Sequence, residues 1–241
     1  MEPWRGRARR LIGEAVNFFL PPVCVSCGQV GAIFCDTCEK TLTWFSNPLC
    51  TSCGRPLPGP GMGCAWCSRD TVPLKELRAV CAFEGAAREA IHALKYEGMF
   101  GVAQPLAALM AERFADWSPE PEMIIPIPLH PERVKERGYN QATLLARYLC
   151  RRLPLEMDEA ALWRTRDTRP QVGLDRLQRR QNVAGAFAAN GARISGRRVL
   201  LVDDVCTSGA TLAAAAESLL ENGARSVSGY CFARPTVKVE I

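Results

Sequence analysis

The sequence predicts an α/β fold built on a parallel sheet, preceded by a small segment held together by metal. From about Leu77 onward, apolar runs of strand length alternate with stretches of helical period; such alternation argues for parallel strands joined by helices. A second indication is the stretch Val199 to Thr211. Its four apolar residues, Val199 to Val202, read as a strand buried on both faces. Two carboxylates follow, Asp203 and Asp204, then the loop Thr207-Ser208-Gly209-Ala210-Thr211 and an alanine-rich helix, Leu212 to Leu220. A small-residue loop between strand and helix offers backbone N–H groups, hydroxyls and the positive end of the helix to an anion. The third indication is cysteine usage: eight of the twelve cysteines form four CxxC pairs before residue 70.

The chain of 241 residues has room for one medium domain and one small one, and 48% hydrophobic residues suffice for a sizeable core. A formal charge of +5 is a modest basic excess. The sequence lacks any run of about 18 uncharged apolar residues, so a transmembrane helix is not expected. Residues 1–20 begin basic, with Arg5, Arg7, Arg9 and Arg10, and continue apolar, but Glu14 and Asn17 interrupt the apolar part. With no small-x-small cleavage site after it, the segment reads as an amphipathic arm ended by Pro21 and Pro22 rather than a signal peptide. Its arginines suit a solvated arm, or contact with lipid headgroups or nucleic acid.

Residues 21–70 hold Cys24 and Cys27, Cys35 and Cys38, Cys50 and Cys53, Cys64 and Cys67. Two cysteines three apart around a tight turn point both thiolates at one tetrahedral metal, and Gly28 and Gly54 suit such knuckles. Four pairs make two zinc sites, each with four cysteine ligands. Short connecting loops favour sequential grouping, the first two pairs together and the last two together; joining the first pair to the third is the cross-braced alternative. Prolines and glycines from Pro56 to Gly63 leave this segment little core, so metal supplies its folding energy. All-cysteine sites are closed, which marks the zinc as structural. Cys81, Cys150, Cys206 and Cys231 stand in apolar surroundings as core residues.

Residues 71–241 form the α/β domain. Leu77 to Glu84 is a strand, and Ala86 to Gly98 a helix stopped by its glycine. Val102 to Trp117 is a helix, Glu122 to Leu129 a buried strand, and Tyr139 to Leu153 a helix. Arg197 to Asp203 is the strand that leads to the loop, and Ser226 to Pro235 closes the sheet. Between strand and helix, Leu129 to Ala142 carries Arg133, Lys135, Arg137 and Gly138, a basic turn able to hold pyrophosphate. From Leu129 to Asn182 there are 12 Lys and Arg against 7 Asp and Glu. The arginine-rich half, about Leu162 to Ala184, suits a mobile hood over a polyanion. His92 falls inside a helix as a structural residue, and His130 borders the basic turn.

The thirteen residues Val199 to Thr211 closely resemble the signature of type I phosphoribosyltransferases, with Thr207-Ser208-Gly209 where Thr-Thr-Gly is usual. ALKYEG (Ala93 to Gly98), IPIPL (Ile125 to Leu129), RGYNQA (Arg137 to Ala142), the Gln171 segment, Arg180-Gln181-Asn182-Val183 with Phe187, and the four CxxC pairs extend the likeness over nearly the whole chain. In this order they resemble the ComF (ComFC) family, a double zinc ribbon followed by a type I phosphoribosyltransferase-like domain. The resemblance implies binding of Mg²⁺-phosphoribosyl pyrophosphate (PRPP). Asp203 and Asp204 would hold the ribose hydroxyls, and Thr207, Ser208, Gly209, Ala210 and Thr211 the 5-phosphate, with Val205 and Cys206 also at the PRPP site. Lys95, Gly138 and Tyr139 would be further contacts, with Arg137 on the departing pyrophosphate. It also implies a cytoplasmic protein that aids uptake or processing of imported single-stranded DNA, with DNA or a competence helicase as partner. Two classes of function follow: a phosphoribosyltransferase whose acceptor the resemblance does not name, or a zinc-ribbon binding module with PRPP as a regulatory ligand.

Overall fold

The computed structural model describes residues 21–64, 67, 73–117, 120–166, 178 and 182–236. The predicted arm, residues 1–20, lies outside them. Alternation gives way to five parallel strands in the order β1-β7-β6-β2-β3: β1 Leu77–Ala82, β2 Met123–Pro126, β3 Glu156–Met157, β6 Arg198–Val205 and β7 Ser226–Arg234. A separate antiparallel pair, β4 Leu162–Arg164 and β5 Phe187–Ala189, stands beside the sheet. The helices are α1 Asp36–Lys40, α2 Gly85–Tyr96, α3 Ala103–Trp117, α4 Pro131–Arg137, α5 Gln141–Leu149, α6 Gly191–Ile194 and α7 Ala210–Glu221. Among the described residues no helix is long and apolar enough to cross a membrane.

Strand alternation divides the core into two layers. Leu200 and Val202 of β6 face α2, α3 and α5, packing with Ile91, Leu106, Met110 and Leu145. Val199 and Leu201 face the other way, onto Leu212, Ala215 and Leu219 of α7 and onto Leu162 and Phe187 of the β4–β5 pair. From β2 the chain steps outward to β3, whereas from β6 it steps to β7 on the opposite side. The β2–β6 boundary is thus the topological switch point, where a crevice opens beyond the carboxyl ends of the strands.

The cysteine segment covers the edge of the sheet. Phe45 N donates to Val80 O at 3.1 Å and Ala82 N to Thr43 O at 2.9 Å, pairing residues 43–45 with the outer side of β1. Leu77 N donates to Ser52 O at 2.8 Å. An otherwise open edge strand, a template for unwanted pairing, is closed off in this way. Contact is closest at Gly54, where φ is +67° and an added Cβ would meet the carbonyl oxygen of Leu77 at 2.3 Å. Gly54→Ala is expected to cost at least about 2 kcal/mol through left-handed strain plus backbone collision, a fall in Tm of roughly 4–8 °C. Gly61→Ala, with φ +75° but nothing within 4 Å, isolates the strain alone, and equal melting of the two variants would disprove the close packing.

Two predicted stretches fold differently. The basic turn after β2 is largely the helix α4, with Pro131 at its first position and His130 as its cap, accepting from Glu132 N at 3.4 Å. Its Lys135 and Arg133 lie 2.8 and 3.2 Å from Glu132 and Glu136, one turn away. The ends of the predicted hood are pinned rather than loose: Leu162, Val183 and Ala186 are buried, and Arg166 donates to Ala184 O at 2.9 Å. Its middle, residues 167–177 and 179–181, lies outside the described residues.

Candidate functional site

The four CxxC pairs collapse into two clusters, Cys24, Cys27, Cys35 and Cys38, and Cys50, Cys53, Cys64 and Cys67. This is the sequential grouping, not the cross-braced one. Gly28 N and Gly54 N each donate to the first cysteine carbonyl of their knuckle at 2.9 Å, closing the turns that aim the sulfurs inward. Within the clusters, Cys24 and Cys38 are 3.7 Å apart, Cys27 and Cys35 3.6 Å, Cys50 and Cys67 3.7 Å, and Cys53 and Cys64 3.6 Å. Four sulfurs around zinc at ~2.3 Å would stand ~3.8 Å apart, so both donor sets fit a tetrahedral zinc ion. Burial opposes ionisation of Cys24, yet backbone N–H groups of Cys27, Ser26 and Cys35 bring it down to about 6, while burial pushes Cys38 up to about 12.

At the switch point lies a cleft of about 370 Å³ lined by Arg88, His92, Lys95 and Tyr96 of α2, Ile127 and Leu129 after β2, Gln141, Arg164, Asp203, Asp204, Val205, Thr207 and Thr211. A larger and shallower depression, about 1020 Å³, lies over the second cysteine cluster, but among the described residues no Asp, Glu, Lys or Arg lines it. The chemistry therefore belongs to the smaller cleft. Its floor is the loop after β6. Gly209 turns the chain with φ +86° into the N-terminus of α7, a conformation open to glycine at no steric cost. Ser208 Oγ accepts from Ala210 N at 3.3 Å, and Cys206 N donates to Ala233 O at 3.0 Å. The N-terminus of α7 points backbone N–H groups and a partial positive charge along its axis.

The two carboxylates are not equivalent. The strand continues through both to Val205, both carboxyls line the cleft, and Asp203 Oδ1 accepts from Asp204 N at 2.9 Å. Asp204 shares the α2–α5 face. Its Oδ2 is 2.6 Å from Lys95 Nζ, and its Oδ1 accepts from Gln141 Nε2 at 3.3 Å. Although burial opposes it, Lys95 holds Asp204 below the usual carboxylate range. Asp203 is raised well above that range by burial and by the neighbouring Asp204 charge. Lys95 thus favours the charged form of Asp204, and Asp204 in turn opposes the charged form of Asp203.

Sequence-predicted residues divide accordingly. Asp203, Asp204, Val205, Thr207, Thr211 and Lys95 line the cleft, with Cys206, Ser208, Gly209 and Ala210 in the same loop. Lys95 is taken up by Asp204 instead of facing the cleft as a free cation. Arg137 approaches through Gln141, donating from Nη1 to Oε1 at 2.5 Å, with its guanidinium 5.6 Å from the Tyr96 ring. Gly138 and Tyr139 turn away into a neighbouring depression with Val134 and Asn140, and Tyr139 Oη donates to the Leu94 carbonyl. Sequence reasoning misses Arg88, His92, Tyr96 and Gln141 as cleft residues, whereas Arg164, one of the arginines of the predicted hood, does line it. Three of them sit with Lys95 at spacings of four, seven and eight residues on α2, one helix face opposite its buried alanines; that periodicity is present in the sequence. Cys206 is buried beside Cys231, whose thiol, with Arg234 and Arg55, draws it down to about 7.

Comparison with known proteins agrees with this two-part build. Residues 15–69 match the family described as double zinc ribbon domain, and residues 105–239 the phosphoribosyl transferase domain. The chain is 32% identical over 224 residues to the DNA utilization protein YhgH of Shigella flexneri, covering 89% of this chain and 98% of that one. It is 37% identical over 151 residues to competence protein F of Haemophilus influenzae, covering 60% and 66%. Against competence protein ComFC of Bacillus subtilis it is 29% identical over 208 residues, 83% of each chain. With cysteine clusters, parallel sheet and loop in place, the chain belongs to the ComF (ComFC) family, in which a double zinc ribbon is joined to a phosphoribosyl transferase domain.

Proposed function

We propose that this protein binds Mg²⁺-PRPP in the cleft at the switch point and acts in the handling of imported single-stranded DNA. The observation that carries the ligand is the juxtaposition of an N–H-rich loop, Thr207 to Thr211, with a carboxyl, Asp203, in one cleft. An anion site beside a hydroxyl acceptor suits a ribose 5-phosphate, whereas carboxylates repel a nucleic-acid backbone. Among the described residues lining the cleft the only acids are Asp203 and Asp204, and Lys95 occupies the second. One available carboxylate suits an Mg²⁺ that arrives on the pyrophosphate and keeps most of its waters. Arg88 and Arg164 at the cleft, with Arg137 behind Gln141, supply positive potential for the pyrophosphate. The DNA role is supported by the names of the relatives, DNA utilization protein and competence protein, and the site of action is the cytoplasm.

The reaction that fits is transfer of the phosphoribosyl group with loss of pyrophosphate. Its cationic, oxocarbenium-like transition state calls for charge stabilisation more than for a proton donor, and ionised Asp203 beside the ribose supplies it.

Asp203→Asn keeps size and removes charge. A hydrogen bond to a charged acceptor is worth about 1.5–3 kcal/mol, so PRPP affinity is expected to weaken about tenfold or more. Because the raised Asp203 must ionise to accept the diol, wild-type affinity falls as pH drops through that raised value, and the variant loses this pH dependence. Calorimetry with Mg²⁺-PRPP across pH reads both. Unchanged affinity in the variant, with single-stranded DNA binding lost instead, would favour the nucleic-acid module. Pyrophosphate release on addition of candidate acceptors tests the transfer itself.

A further inference from the structure

The second cysteine cluster reaches under the phosphate loop. Immediately after its first knuckle, Arg55 is 7% exposed, and its Nη2 donates to the carbonyl of Thr207, the first loop residue, at 3.2 Å. The last residue of β7, Arg234, is 1% exposed and donates from Nη1 to the carbonyl of Cys53, a cluster residue. Among the described residues no carboxylate forms an ion pair with Arg234. A buried guanidinium needs negative charge or carbonyl oxygens beside it. Cys206 lies beside this pair, and because four thiolates outweigh one divalent ion, a loaded four-thiolate cluster adds further negative charge; its Cys53 carbonyl already receives Arg234. The first cluster has a different setting: Cys24, Cys35 and Cys38 pack with Phe34 and Leu42 into the apolar layer of α2 and α3.

We infer that Arg55 is a positioning residue through which the second cysteine cluster, and not the first, sets the shape of the phosphate loop. With the cluster loaded, Arg234 and Arg55 stay buried together and the Thr207 carbonyl is held. This turns the N–H groups of the following residues toward the cleft. When the cluster loses its metal, the turn that carries Arg55 and the Cys53 carbonyl that receives Arg234 are no longer fixed, and the loop loses its anchor. By linkage, a ligand that orders the loop also strengthens retention of metal in the second cluster. The coupling rests on Thr207 to Thr211 being the phosphate loop.

The test is amide hydrogen exchange over Thr207 to Thr211 in the zinc-loaded full chain. Arg55→Met keeps all eight cluster thiols and is expected to speed exchange there about tenfold or more while both zinc ions remain bound. Cys67→Ser, in the second cluster, should reproduce the effect, and Cys27→Ser, in the first, should not. Arg55→Lys keeps the charge but not the planar fork, and should fall between wild type and Arg55→Met. Wild-type exchange rates in both Arg55→Met and Cys67→Ser, or an equal acceleration in Cys27→Ser, would overturn the coupling. Where a variant does not fold, stepwise withdrawal of zinc from the wild-type chain by a chelator, with exchange read in the same peptides, decides the same question. A parallel Mg²⁺-PRPP titration separates the two ideas: faster exchange without PRPP binding in wild type leaves the coupling standing and removes the ligand, and binding without changed exchange does the reverse.

Discussion

Replacing Asp204 by Asn is expected to lower the unfolding free energy by about 3–5 kcal/mol, because it strands one half of a buried ion pair. The Asp204 side chain is 3% exposed and that of Lys95 21%, with 2.6 Å between them. Asparagine leaves the Lys95 ammonium in a site whose desolvation Asp204 chiefly offsets, with Asp203 a smaller contribution. Burial pulls Lys95 down and Asp204 more than restores it, so its folded pKa is raised, and that of Asp204 is lowered. The lysine contribution is fully present below the unfolded lysine value and is lost as pH rises through the folded one. The aspartate contribution is present above the unfolded carboxylate value and is lost as pH falls through its depressed one. The penalty should therefore be flat across neutral pH and vanish at the two extremes. Lys95→Met added to Asp204→Asn should recover most of the loss, since an apolar replacement for a buried pair is often neutral. Urea unfolding of wild type, both single variants and the double completes the cycle. An Asp204→Asn chain within about 1 kcal/mol of wild type would mean that the pair is solvated and that the distinction between the two aspartates is wrong.

Removing metal is expected to have the larger effect. Among residues 21–64 the buried apolar set is Cys24, Phe34, Cys35, Cys38, Leu42, Cys50 and Cys53. Five of these seven are cluster cysteines, so the ribbon's interior is made mostly of metal ligands. Structural zinc binding is worth about 10–16 kcal/mol in comparable peptides near pH 7, which exceeds anything Phe34 and Leu42 can add at about 1.5–3 kcal/mol each. Chelation should therefore melt the ribbon, expose the edge of β1 that Thr43 to Phe45 cover, and promote association through that edge. Elemental analysis should find two zinc ions for the two clusters. Exchange protection should vanish in residues 21–64 while persisting in β6 and β7. Purified protein with zinc near zero and disulfides by mass spectrometry would refute the metal assignment.

Much of this molecule is written in local spacing. The run Val199 to Val202, two acids, a small-residue loop and an alanine-rich helix specify β6, the loop and α7, because each depends on neighbours within a few residues. The same holds for the knuckles, where Gly28 and Gly54 close turns between cysteines three apart. Strands β1, β2 and β7 and helices α2, α3 and α5 stand within a few residues of their predicted bounds. Helix α4 is hidden in the sequence because its charges read as a basic turn; Glu132 and Glu136, one turn from their partners, make it a helix instead. Sequence alone thus determined a double zinc ribbon with two four-cysteine clusters, a parallel sheet and a small-residue loop leading into a helix. The tertiary structure alone decided which acid pairs with Lys95, that Gly138 and Tyr139 turn away while Arg88, His92 and Tyr96 turn in, and that Arg55 meets Thr207 across 152 residues of chain. Those outcomes depend on strand order and on which face of β6 each side chain leaves. They are set by how distant segments share one core, and a one-dimensional periodicity carries no record of that sharing.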